Sequence, residues 1–187
     1  HREPSVFWAG STTGVPCHGK LPCNNSCHDI QRAKLVRLGK NLSWANFSIT
    51  KAIQWCAADG KKMGNLISQP IRESEWVHHK GLLDVDGNVD AWGLTWRLAS
   101  GSVVFRVRSS YLNYFSDKLV EGVHYIAISE DFSDLAEKTA EVTVVRYTGK
   151  HARIARNAKQ IIQENSYEVV VKEVARDGRQ PRPKAAA

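Results

Sequence analysis

Gly81-Leu82-Leu83-Asp84-Val85-Asp86-Gly87-Asn88 opens the stretch that decides the fold of this chain. Ala91-Trp92-Gly93-Leu94-Thr95-Trp96-Arg97-Leu98-Ala99-Ser100-Gly101-Ser102 carries it into Val103-Val104-Phe105-Arg106-Val107. The apolar runs Leu82–Val85, Val103–Val107 and Val123–Ile128 are short and alternate with segments of helical pattern. That alternation marks parallel strands joined by crossover helices. Ala91–Ser100 reads as one such helix, with Gly101 just past its end, where a left-handed residue is often needed. Ligands of open parallel sheets sit outside the strand carboxyl ends, often against a helix N-terminus. Asp86-Gly87-Asn88 stands at such an end, directly before a helix.

Working outward, Ser5–Trp8 reads as a strand that enters a loop of small residues, Gly10-Ser11-Thr12-Thr13-Gly14. Asp29–Lys40 is helical in pattern, with Asp29 as its cap. Leu42–Ile49 reads as a further strand, given the bulk of Trp44, Phe47 and Ile49. Gly60–Pro70 fits a surface loop, and Trp76–His79 leads into the strand at Leu82. Tyr111–Leu119 is expected to form a second helix. Ser133 is expected to cap a third, which begins with Asp134 and Leu135. Lys150–Glu164 is helical, with Ile154, Ala158, Ile161 and Ile162 on one side and basic residues elsewhere. Tyr167–Val174 is helix or strand. The polar, Pro-containing segment Arg176–Ala187 is expected to be a disordered tail. The reading is one Rossmann-like α/β domain over residues 1–175, with a Cys-rich insertion near 15–28.

The chain has 187 residues and a formal net charge of +7, and 42% of it is hydrophobic, enough for a sizeable core. No apolar run approaches the roughly 20 residues of a membrane span. Beginning at His1, the chain reads as processed, truncated or excerpted. The charge fits either a basic soluble domain or one with an anionic ligand such as a nucleotide diphosphate. The basic residues are dispersed and lack interleaved stacking aromatics, which argues against nucleic acid. Cys17, Cys23, Cys27 and Cys56 are open to two disulfides, to a zinc site completed by His18 or His28, or to free thiols. Acceptor sequons at Asn24, Asn41 and Asn46 favour a secretory compartment, where disulfides form.

The order and spacing of several motifs resemble one family. They are Phe7-Trp8-x-Gly10-Ser11-Thr12-Thr13-Gly14, Arg32-x-Lys34-Leu35, Asp86-Gly87-Asn88, Leu98-Ala99-Ser100-Gly101-Ser102-Val103-Val104, His124-Tyr125-Ile126 and Asp131-x-Ser133-Asp134-Leu135. The chain resembles the donor-binding C-terminal half of the glycosyltransferases that include protein O-glucosyltransferases and fungal capsule-associated xylosyltransferases. The resemblance implies one half of a GT-B fold that packs against an acceptor-binding domain. It implies inverting transfer of glucose or xylose from UDP-glucose or UDP-xylose to a protein or glycan hydroxyl, with no required metal or cofactor. The general base of the family lies in the acceptor-side half, so no catalytic base is assigned here.

The donor-binding residues expected on this basis are Ser11, Thr12, Thr13, Gly14, Arg32, Asp86, Gly87, Asn88, Trp92, Gly93 and Arg97. Small residues at 11–14 let a backbone approach an anion closely. The helix opening near Ala91 offers free N–H groups, and Arg32 and Arg97 supply cations. Each has a plainer reading. Asp86 caps a turn, Gly87 serves a turn, and the 11–13 stretch is a polar loop. Trp92 and Trp96, four apart, pack together on a helix face; Arg97 is solvated or covers the sheet. His124 is a hydrogen-bonded core residue, and Asp131 and Asp134 carry no chemistry. Two positions depart from the family: Ala9 and Gly93 stand where Arg is usual, and Arg97 lies one turn beyond Gly93. A catalytically inactive transferase-like binding module is the alternative function.

Overall fold

In the computed structural model, residues 2–14, 26–57 and 64–177 are described. The apolar runs become five strands: β1 (Glu3–Ser11), β2 (Ala45–Lys51), β3 (His79–Asp84), β4 (Val103–Val107) and β5 (Ile126–Ile128). They form one parallel sheet in the order β2-β1-β3-β4-β5. The chain therefore steps from β1 to one side, then returns past β1 to β3 on the other. That reversal opens a crevice between the carboxyl ends of β1 and β3.

Side chains alternate along each strand, and both faces are covered. Val6, Trp8, Leu83, Val85 and Phe105 pack with Leu35 and Val36 of α1 (Gln31–Gly39), with Leu135 of α4 (Leu135–Ala140), and with Ile154. On the opposite face Phe7, Ala9 and Leu82 meet Trp76 at the end of the short helix Glu73–Trp76, α2. Val104 there meets Leu94 and Leu98 of α3 (Leu94–Ala99) and Ala158 of α5 (Gly149–Glu164). The final helix, α6, spans Tyr167–Asp177. The ambiguous stretch from Tyr167 is thus helix, and it continues past Arg176, where a disordered tail was expected. Residues 178–187 lie outside the described residues, as does most of the Cys-rich insertion.

Several local expectations are corrected. The crossover helix opens at Leu94, not Ala91, because Asp86 Oδ1 takes the Ala91 N–H at 2.9 Å and holds the intervening residues in a turn. Tyr111–Leu119 contains only a 3-10 turn at Ser116–Lys118. There the Asn113 and Ser116 side chains bond nearby backbone N–H groups and compete with a helix. Asp29 lies in a 3-10 turn, and Ile30 occupies the N-cap of α1. Asp134, not Ser133, is the N-cap of α4; the Ser133 N–H goes to the Asp131 side chain. His124 precedes β5 rather than lying in it, and its Nδ1 accepts the Val120 N–H at 2.9 Å.

A disulfide joins Cys27, just before α1, to Cys56, after β2, across 29 positions. Both cysteines are fully buried in the main core cluster. This pairing removes Cys27 from any zinc site; Cys17, Cys23 and His18 lie outside the described residues. The loop it closes is long enough that Cys56→Ser should cost about 3 kcal/mol of stability. Urea denaturation of the variant against the parent protein measures this, and a loss under about 1 kcal/mol would show that the link adds little constraint.

Candidate functional site

The carboxyl ends of β1 and β3 are tied together by the Arg32 side chain of α1. Its Nε donates to Asp86 O at 2.9 Å, Nη2 to Val85 O at 2.8 Å, and Nη1 to Ser11 O at 3.2 Å and Thr13 Oγ1 at 2.5 Å. Burial, and secondarily the charge of Arg97, bring the Arg32 guanidinium down to about 10. Asn88 adds a second tie, its Oδ1 accepting the Gly14 N–H at 3.0 Å. Gly87 makes the approach possible: a Cβ there would come within 2.5 Å of Thr13 Oγ1 and 3.1 Å of Arg32 Nη2. The two loops singled out in the sequence are therefore joined back to back.

Beside them lies a cleft of about 320 Å³. Seven of the expected residues line it: Thr13, Arg32, Gly87, Asn88, Trp92, Gly93 and Arg97. The other four stand behind it. Ser11 closes β1. Thr12 is buried, its Oγ1 donating to Ile53 O at 2.9 Å and accepting the Ile53 N–H at 2.8 Å. Gly14 has φ +125° and serves the turn. Asp86 caps the following turn through Oδ1, while its Oδ2 is buried with no partner among the described residues. The backbone N–H groups of Asn88, Val89, Asp90, Trp92 and Gly93 make no bond within the described residues, so this loop supplies the free amides expected of a helix terminus.

Arg97 is neither solvated nor free. It is only 8% exposed, and Nη1 meets Asp84 Oδ1 at 2.6 Å. Its guanidinium lies 5.2 Å from the Trp76 ring and 5.1 Å from the Trp96 ring. Burial pushes the Asp84 carboxyl above its ordinary value; Arg97 pulls it back only in part. Arg97 reaches the cleft over Gly93, where a Cβ would come within 2.7 Å of Cζ. Arg97 Nε is buried and has no hydrogen-bond partner among the described residues. The absence of a side chain at 93 and the presence of Arg at 97 are thus one arrangement.

Trp92 and Trp96 part company, since only Trp96 lies in α3. Trp96 packs edge-on against Trp76 with ring centroids 5.2 Å apart, whereas Trp92 is 92% exposed at the cleft rim. Sequence reasoning missed Asp84, Trp8, Val89 and Asp90. Asp84 carried a signal: a carboxylate in a run of buried apolar residues requires a partner.

The family profile described as glycosyl transferase family 90 matches residues 1–173. Over 109 residues the chain is 33% identical to Protein O-glucosyltransferase 2 of Danio rerio, covering 58% of this chain and 21% of that protein. Over 85 residues it is 31% identical to O-glucosyltransferase LpsA of Dichelobacter nodosus, covering 45% of this chain and 26% of LpsA. The chain therefore spans about a quarter or less of the length of these curated relatives. Among solved structures, TarM superposes with a TM-score of 0.59 at 12% identity, over 94% of this chain and 35% of TarM. HepE of Anabaena, solved in complex with UDP, gives 0.53 at 14% identity, over 94% of this chain and 48% of HepE. Identities this low speak to fold: the sheet and its helices form one Rossmann-like half of a GT-B architecture. With the family profile spanning almost the whole described fold, the chain belongs to glycosyl transferase family 90.

Proposed function

We propose that this chain is the donor half of a glycosyltransferase: it binds a UDP-sugar, and the sugar is transferred to a protein or glycan hydroxyl. The observation that carries this reading is the cleft at the switch point between β1 and β3, with Arg97 held at its floor. As the sugar–phosphate bond breaks, negative charge grows on the diphosphate. A guanidinium and preset amides stabilise that charge without rearranging. Here those groups are Arg97, through the donors not bound to Asp84, and the amides of the 88–93 loop. The family and the UDP complex of HepE support a uridine nucleotide as ligand. Glucose or xylose as the sugar, inversion, and metal-free chemistry follow from the family likeness. The base that deprotonates the acceptor is assigned to an acceptor-binding domain packed across the cleft. The buried disulfide and the exposed sequon residues Asn41 and Asn46 support a secretory compartment.

One observation favours a second reading, an inactive transferase-like binding module. Arg32 is committed to backbone oxygens, and Asp84 and Asp86 balance the two arginines, so the cleft floor lacks strong positive charge.

Isothermal titration separates the two. The donor reading expects saturable heat with UDP, UDP-glucose or UDP-xylose below millimolar concentration; silence from a folded sample defeats it. Arg97 is tested in the Asp84→Asn/Arg97→Met double variant, which leaves no buried charge unpaired. UDP affinity should fall about tenfold or more, about 1.4 kcal/mol. Ala9 lines the same cleft. If Ala9→Arg raises UDP affinity by about tenfold, the phosphate site is a degraded one and the second reading gains; unchanged affinity leaves Arg97 as the working cation.

A further inference from the structure

Two side chains at the cleft rim do nothing for the fold. Trp92 is 92% exposed, the most exposed large apolar residue among those described. Asp90, two positions earlier, also lines the cleft and makes no hydrogen bond or ion pair among the described residues. The loop bearing both is nevertheless well anchored, by the Asp86 cap on Ala91 and by Asn88 on Gly14. Rim and anchor are thus separate, and the unused groups are an indole face and a carboxylate a short span apart. A pyranose needs that pair of chemistries. Its axial C–H face is apolar and flat enough to stack on an indole, and its hydroxyl edge donates to carboxylate oxygens.

We propose that Trp92 and Asp90 form a pyranose subsite, Trp92 stacking on the C–H face of the ring and Asp90 accepting hydrogen bonds from its hydroxyls. The placement rests on the donor reading. Gly93, next to Trp92, abuts the Arg97 guanidinium. A diphosphate held there carries its glycosyl ring one bond away, within reach of the rim. The ring belongs either to the donor or to a glycan acceptor, and both present the same chemistry.

The test uses the full chain and its Trp92→Ala and Asp90→Asn variants, titrated with UDP, UDP-glucose, UDP-xylose and a free glucose trisaccharide. Binding is read by calorimetry and by intrinsic tryptophan fluorescence. Trp92 is exposed, so its removal should leave the circular dichroism spectrum and the urea midpoint unchanged. The expected result is a loss of tenfold or more in affinity for one UDP-sugar in both variants, with UDP affinity held within twofold. In the parent protein, stacking should shift the emission of the exposed indole to shorter wavelength, and Trp92→Ala should abolish that shift. If the trisaccharide binds instead and its affinity falls in both variants, the subsite stands and takes an acceptor ring. Equal loss of UDP and UDP-sugar affinity in Trp92→Ala would mean that the indole serves the nucleotide, and would overturn the proposal. So would unchanged affinity for every ligand. Should UDP fail to bind the parent protein, the donor reading falls alone. The trisaccharide then decides the subsite: binding lost in the variants supports it, and no binding overturns it.

Discussion

One guanidinium holds the site together. Arg32 reaches from α1 across the crevice between β1 and β3 and bonds three backbone carbonyls and one hydroxyl at the strand ends. Strand ends at a switch point diverge, and their carbonyls have no ladder partner there. An unpaired buried carbonyl is costly, and a planar five-donor group is well suited to satisfying several at once. The missing Cβ of Gly87 permits that closure, and the Asn88–Gly14 bond reinforces it. Behind them, Thr12 locks onto Ile53, and the Cys27–Cys56 link ties the entry of α1 to the same region. The shape of the cleft wall is therefore set from its dry side.

The Asp84–Arg97 pair follows a different logic. A buried ion pair contributes little net stability, since desolvation of both groups offsets their attraction. What it supplies here is position. Asp84 ends β3 on the face covered by α3, and Arg97 lies three residues into that helix. The pair, with the Trp76 and Trp96 rings, leaves the guanidinium one orientation, over the bare backbone of Gly93. An arginine at 93 and an arginine at 97 would contend for the same volume. The bare backbone at Gly93 is thus the space that Arg97 requires.

The sheet was legible because strands buried on both faces leave short, mostly apolar runs, and Leu82–Val85 and Val103–Val107 are such runs, each broken by a single charged residue, Asp84 and Arg106. The tips of β1 and β3 were legible as well, since Gly and small hydroxyl residues cluster where a chain turns tightly. Local competition was not legible. Ala91-Trp92-Gly93 has helical spacing, yet the Asp86 carboxylate takes the Ala91 N–H and delays the helix by three residues. That delay undid the pairing of Trp92 with Trp96, because the four-residue rule holds only when both residues are helical. Asn113 and Ser116 defeated a helix in the same way. Arg32 and Arg97 were found as cations but not as buried ones. Charge spacing along a helix does not report what the tip of a long side chain reaches.

Delaying the helix also shapes the chemistry. Had α3 begun at Ala91, its first-turn amides would still have lacked ladder partners, but Trp92 would have turned onto a helix face. The turn leaves the amides from 88 to 93 equally free, apart from that of Ala91, and lifts Trp92 to the rim. The exposed indole forgoes about 2 kcal/mol or more of burial. A fold that buries Trp8 and Trp76 almost completely has the means to bury a third tryptophan nearby. The rim position of Trp92 is therefore a consequence of the Asp86 cap, one hydrogen bond just past the end of β3.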